Sequence, residues 1–221
     1  MDDRWATFDC YGTLIDWNGG IGGELARLFG AGRADRLLER YHELEPQVQA
    51  DSRRTYREVL TVTLERLAGE EGLELAEGER DALPRSLPGW RPFPDARTAL
   101  EALRRAGWRL AILSNTDGDL LAASLTRLRV DFDETVTAGD AGSYKPAHGH
   151  WREFAGRTGV PPAAHVHVGA SVFHDVEPAS ALGLRTVWIN RLGEPAPARP
   201  PTRELPDLTG LPDVLEELVP A

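Results

Sequence analysis

The sequence predicts an α/β protein: an open parallel sheet interrupted after its first strand by a helical insertion. Three observations lead there. A short apolar and β-branched run, residues 5–8, ends on Asp9, with Gly12 and Thr13 close behind. Residues 16–88 then carry apolar side chains at helical spacing and no strand pattern. From Trp90 onward, short apolar runs alternate with helical patterns, the rhythm of a parallel sheet with crossover helices.

The first strand delivers Asp9 to its carboxyl end, where open α/β sheets bind ligands. A carboxylate there, beside a glycine that lets backbone N–H groups approach a ligand, reads as a nucleophile next to an anion cradle, or equally as a helix N-cap. Inside the insertion, Gly19, Gly20, Gly22 and Gly23 make a flexible entry. Leu25, Leu28 and Phe29 form one stripe, and Leu37, Leu38, Tyr41 and Leu44 form another that should stop near Pro46. A third helix is expected over 54–69, with Tyr56, Val59, Leu60, Val62, Thr63 and Leu67 on its face, and a fourth over 76–86.

After the insertion, Pro94 opens a helix that Gly107 ends. The strand 108–113 presents Ser114 and Asn115. A helix over 118–128, a strand over 134–138 and a loop over 139–144 lead to Lys145-Pro146. A helix over 148–158 and a strand over 165–168 follow, then Gly169, with Asp175 starting or capping the next helix. Residues 185–189 read as the last strand. Residues 194–206 hold five prolines and read as a surface tail before a final helix over 211–218.

With 221 residues, 41% of them hydrophobic, the chain can bury one sizeable core and a smaller second unit. A net charge of −10 argues against general nucleic-acid binding. Cys10 is the single cysteine, so no intrachain disulfide forms and a reducing compartment is expected. There is no run of about 18 apolar residues and no apolar signal segment after Met1, so cytoplasmic residence without a membrane partner is expected. No internal repeat is visible.

Asp9, Ser114/Asn115, Lys145 and Asp175 all fall at or after strand ends. Each has an ordinary explanation as a cap or a solvated loop residue. Together they make a reaction-centre inventory, in which Lys145 would hold Asp9 ionised by charge pairing. His165 and His167 flank Val166 and so point to one face, but no carboxylate or cysteine completes a metal set there. Structural roles are expected of them and of His148 and His150. His174, beside Asp175, reads as structural or as an acid/base group.

The segments Asp9-Cys-Tyr-Gly-Thr-Leu14, Ser114-Asn115, Lys145-Pro146 and Gly169-x-Ser171-x-x-x-Asp175 resemble, in order and spacing, the four motifs of the haloacid dehalogenase (HAD) superfamily. The resemblance implies a Rossmann-like parallel β-sheet core over residues 1–15 and 89–221. It also implies a helical cap domain over residues 16–88, closing over the site. Phosphatases of the superfamily carry a general-acid Asp two residues after the nucleophile and a metal-ligating Asp straight after the glycine of the fourth motif. Tyr11 and Ala170 stand there instead. A phosphate ester would then lose both its proton donor and part of its cation. The Tyr11 pattern resembles the 2-haloacid dehalogenase branch, which works without metal, since a halide needs no proton to leave.

That resemblance implies a covalent ester on Asp9, formed with a small anionic carboxylic acid, and no cofactor. Arg40, in Arg40-Tyr-His-Glu-Leu-Glu45, and Asn115 would hold the leaving group. Tyr11, Thr13, Ser114, Trp151 and His174 would line the substrate, and Asp175 would activate water. The chain departs from the branch at Trp151 (Tyr in the branch), Ala170 and Val172 (Ser and Asn) and His174 (a bulky aromatic). Two alternatives stay open. One is a Mg²⁺-dependent phosphatase with the ion on Asp9 and Asp175; the other is a catalytically silent binding protein. The Leu and Tyr faces of the insertion would serve cap packing or a homodimer equally well.

Overall fold

A computed structural model describes residues 3–50 and 54–221. Met1 and Asp2, at the start of the expected core segment, and residues 51–53, in the expected insertion, lie outside the described residues. The chain runs β1 (Trp5–Phe8), α1 (Trp17–Phe29), α2 (Ala34–Gln49), α3 (Tyr56–Glu70) and α4 (Ala82–Ser86). It continues through α5 (Ala96–Arg105), β2 (Arg109–Ser114), α6 (Gly118–Leu128), β3 (Glu134–Thr137), α7 (Ala138–Ala141) and α8 (Gly149–Thr158). β4 (His165–Gly169), a π-helical turn (Val172–Val176), α9 (Glu177–Ala181), β5 (Arg185–Ile189), β6 (Arg203–Leu205) and α10 (Leu211–Leu218) complete it.

The strands form one parallel sheet in the order β3-β2-β1-β4-β5-β6. β1 is central and wholly buried, as expected of a strand with helices on both faces. In register, Phe8 lies beside Ile112 and beside Val168, so the chain leaves β1, β2 and β4 at one edge. Period-two alternation splits the core. Ala6, Phe8, Leu110, Ile112, Val166 and Val168 pack with Leu100 and Leu103 of α5 and Leu211 and Leu215 of α10. Trp5, Ala111 and Leu113 face Trp151 and Phe154 of α8 and Ala179 of α9. Thr7 shares this second face.

The helices between β1 and α5 pack mainly on one another through Leu25, Leu37, Tyr41, Leu44, Val59, Leu60 and Leu67, all buried. They are also bonded to the sheet layer. Asp117, just before α6, accepts from the free N–H groups of Tyr56 (2.9 Å) and Arg57 (2.9 Å) at the start of α3. Thr55 closes the same helix end with a capping box. Tyr144 donates its hydroxyl to the Arg54 carbonyl at 2.8 Å.

Several local expectations need correction. α2 does not stop near Pro46 but continues to Gln49, because Val48 and Gln49 are buried and Ala50 N–H reaches the Pro46 carbonyl at 3.0 Å. The fourth helix is only Ala82–Ser86, since Gly78 adopts φ +80° and breaks the segment before it. A short helix, α7, replaces part of the expected 139–144 loop, capped by Thr137 and Asp140. The proline-rich tail contains β6, a proline-free triplet at the sheet edge where missing N–H donors on either side do no harm. Among the described residues, no helix is long and apolar enough to cross a membrane.

Candidate active site

The edge where β1, β2 and β4 end gathers the polar side chains. Asp9 follows β1 and is fixed through its own N–H to the Val168 carbonyl (2.9 Å). The next residues turn sharply: Leu14 and Ile15 N–H groups both reach the Cys10 carbonyl, and Gly12 takes φ +91°, a conformation that excludes most side chains. The turn swings Thr13 back under Asp9. Its hydroxyl donates to Asp9 Oδ2 at 2.9 Å and accepts from Ala170 N–H at 2.9 Å.

Lys145 is buried at 1% exposure, so its charge must be neutralised inside the protein. Its three ammonium protons meet three acceptors: Asp9 Oδ1 (2.9 Å), Asp175 Oδ1 (2.6 Å) and the Leu113 carbonyl (2.9 Å). The backbone that carries it is clamped by Asn115, which donates to the Lys145 carbonyl at 3.0 Å and accepts Lys145 N–H at 2.6 Å. Asp175 arrives from the π-helical turn, with Ser171 N–H on its Oδ2 at 3.3 Å. Gly169 makes room for it: a methyl group there would lie 2.5 Å from Asp175 Cβ and Cγ.

Charge separates the two carboxylates. Burial and the neighbouring Asp175 push Asp9 up to about 6, against the pull of Lys145. Burial would also raise Asp175, but the Lys145 ammonium and His167 outweigh it and hold that carboxyl well below the usual range. Burial would lower Lys145; the two carboxylates reverse this and hold it above its ordinary value. At neutral pH the site is thus two carboxylates bridged by one ammonium.

Not all the expected site residues converge. Asp9, Thr13, Lys145 and Asp175 meet directly, and Ser114 is buried at the end of β2 with its hydroxyl unpartnered among the described residues. Thr13, expected on the substrate, has its proton on Asp9 and its lone pair on Ala170, so it orients the carboxylate instead. Asn115, expected on the leaving group, is spent at both ends on the Lys145 backbone. Arg40 is turned away from the site: its partly exposed guanidinium is held by Glu43 and by Glu70, the latter at 2.5 Å. Trp151 lies under the site, buried in the second core layer with its ring 5.1 Å from His167.

Tyr11 stands where the inserted helices meet the sheet. Its hydroxyl pairs with Ser124 at 2.9 Å, and its ring faces Tyr56 at 6.3 Å and Trp90 at 5.9 Å. Ser171 caps the turn, accepting the His174 N–H at 3.1 Å, and its hydroxyl pairs with His174 Nδ1 at 3.1 Å. Two groups play parts that were not read from the sequence. His167, expected to be structural, reaches Asp175 Oδ1 at 3.4 Å, a contact signalled only by its position two residues from His165 on the face opposite Phe8. Glu45, at the edge of the α2 stripe beside the Tyr56 hydroxyl, has its carboxyl pushed up to about 7 by burial.

The residues present do not fit a magnesium ion. Such an ion needs several hard oxygen ligands. Asp9 and Asp175 each commit an oxygen to Lys145, and Ala170 turns an N–H, not an oxygen, toward Thr13. Among the described residues no cluster of three or more metal-ligating side chains occurs.

A model of the haloacid dehalogenase-like hydrolases matches residues 4–183. (S)-2-haloacid dehalogenase 4A of Burkholderia cepacia is 30% identical over 197 residues, covering 87% of this chain and 85% of that protein. (S)-2-haloacid dehalogenase 1 of Pseudomonas sp. (strain CBS-3) is 30% identical over 226 residues, covering 97% of each. The crystal structure of the L-2-haloacid dehalogenase RSc1362 superposes with a TM-score of 0.89 at 24% identity, over 98% of this chain and 100% of that one, a likeness of fold. The family model spans most of the chain and both relatives cover it nearly end to end, so the chain is a member of the haloacid dehalogenase-like hydrolase family.

Proposed function

We propose that the chain is a metal-independent hydrolase of the 2-haloacid dehalogenase type, acting on a small carboxylic acid with a leaving group at C2. The observation that carries this reading is Lys145. Its ammonium keeps Asp9 charged in a dry site, and the position two residues after Asp9 carries no carboxylic acid to protonate a leaving oxygen. Tyr11, at that position, has its phenol raised by burial far above neutrality, and its hydroxyl is engaged by Ser124. A halide suits such a site because it departs with its bonding pair and needs no proton. The names of the two curated relatives point the same way.

In this reading a carboxylate oxygen of Asp9 attacks C2 and the halide leaves with the electrons of the broken bond, giving an Asp9 ester. With Asp9 neutralised, Lys145 remains paired with Asp175. Water then attacks the Asp9 carbonyl carbon while Asp175 takes its proton. The ester opens to the 2-hydroxy acid, Asp9 is restored as a carboxylate, and one proton passes to solvent. The free Ser114 hydroxyl would donate to the substrate carboxylate, Tyr11 would flank the substrate where the inserted helices meet the sheet, and His174 pairs with Ser171 in the turn that carries Asp175. Arg40 would have to leave Glu43 and Glu70 to hold the leaving group. The acidic composition and the one, buried, cysteine suit a reducing cytoplasm.

Halide release from 2-chloro- and 2-bromopropionate is the test. Release is expected, unchanged by a chelator and lost in Asp9→Asn. Turnover of phosphate esters that requires added Mg²⁺, with no halide release, would overturn the reading.

A further inference from the structure

Behind Asp175 runs a buried line of polar groups that the reaction above does not use. Thr7 of β1 lies in register with His167 of β4, and both His165 and His167 turn to the same face. The Thr7 hydroxyl stands 2.7 Å from His165 Nε2 and 2.9 Å from His167 Nδ1, and His167 Nε2 stands 3.4 Å from Asp175 Oδ1. His165, His167 and Asp175 are all at most 3% exposed. The Trp151 ring edge, 5.1 Å from the His167 ring, and Phe154, 5.0 Å from His165, wall the line off from water.

One hydroxyl proton serves this line, so its direction is decided by its ends. Asp175 is ionised and only accepts. His167 must therefore carry its proton on Nε2, or two lone pairs would face each other. A neutral His167 then accepts the Thr7 proton at Nδ1, and Thr7 accepts from His165 Nε2–H. A doubly protonated His167 would set a second cation near the Lys145 ammonium in a buried site, and burial acts against it first. The charged and titratable groups around the ring are Asp175, Lys145, His165 and His150, and burial keeps the last two neutral, with values near about 3.

We propose that His167, set as its Nε2–H tautomer by Asp175 and backed by Thr7 and His165, is a positioning residue that orients Asp175 for the water step. With Lys145 and His167 both on Oδ1, the proton from water is directed to Oδ2, which among the described residues accepts the Ser171 N–H. This role in hydrolysis rests on the ester mechanism proposed above; the tautomer does not.

The test has two parts. In the wild-type protein, ¹⁵N-resolved spectra of His167 between about pH 6 and 9 are expected to show a neutral ring protonated on Nε2, a preference that Thr7→Val should keep and Asp175→Ala should relax toward the Nδ1–H form. An imidazolium, or an Nδ1–H ring in the wild type, would overturn the lock. In single-turnover rapid quench, His167→Phe is expected to slow ester hydrolysis by about tenfold or more, so that the Asp9 ester accumulates while its formation changes little. The acid limb of hydrolysis should shift upward as Asp175 loses a donor. His167→Gln, which returns an N–H at the Nε2 position, is expected to recover most of the loss. Equal hydrolysis rates in wild type and His167→Phe would refute the positioning role while leaving the ester mechanism intact. If no ester forms in any variant the mechanism fails, and the spectra still decide the tautomer.

Discussion

Burial acts on Asp9 and Glu45 in the same direction but with different consequences. Asp9 must be ionised to attack, and its carboxyl sits at about 6. Ester formation should therefore fall as pH drops through about 6, while Asp175, held far lower, stays charged across that limb. Glu45 touches no reacting group, so its effect is on stability. Its folded value, about 7, lies above the unfolded 4.5. It thus contributes stability that is fully present below about 4.5 and lost as pH rises through about 7. His150, His165 and His167, lowered by burial, act oppositely, because stability falls as they are forced to charge at low pH. The useful quantity is the difference between wild type and Glu45→Gln in urea unfolding. The variant is expected to be more stable above pH 7 by on the order of 1–2 kcal/mol, with the gap closing toward pH 4.5. A gap independent of pH would refute the assignment.

The start of α3 shows how an element can be secured from outside itself. Its first N–H groups have no partner within the helix. Thr55 satisfies one, and Asp117, across the gap on the sheet layer, satisfies two more while favouring the positive end of the helix dipole. Asp117→Ala should cost about 1 kcal/mol as a lost cap and loosen the inserted helices over Asp9. The expected readout is a raised KM with a smaller change in kcat, and faster hydrogen exchange at Tyr56 and Arg57. Unchanged exchange there would mean Thr55 and apolar packing suffice. Sequence patterning could find α3, since its apolar stripe and capping box are local. It could not find Asp117, whose partner lies 61 positions away. The placement of Arg40 was hidden for a related reason. On α2 it lies at the edge of the buried stripe Leu37, Tyr41, Leu44 and Val48, and the choice between site and solvent was settled by Glu43 and by Glu70 of another helix. Glu45 lies at the opposite edge of that stripe, half-buried beside Tyr56.

Across the whole molecule, strand order places the chemistry. The chain leaves β1 toward α1, then builds β2 and β3 on one side and β4, β5 and β6 on the other. The carboxyl end of β1 is thus the point where the order reverses, which is where open α/β sheets form a crevice. Asp9, Ser114, Lys145 and Asp175 were legible in the sequence because this fold converts strand ends into one locus. What those strand ends lean on was not legible. Thr13, Asn115 and His167 each support another residue through a bond set by tertiary contact, and residue type and spacing carry no trace of the partner.

The central claim is that Asp9 forms a bond to substrate carbon, and isotope transfer tests it most directly. Wild-type enzyme in excess over 2-chloropropionate, turned over once in H₂¹⁸O, is digested and the Asp9 peptide weighed. Label in the Asp9 carboxylate, with unlabelled oxygen in the first product, is expected, because water attacks the ester carbonyl and not C2. Label found wholly in the product, with an unlabelled Asp9, would mean that water displaces the leaving group directly and would contradict the covalent route.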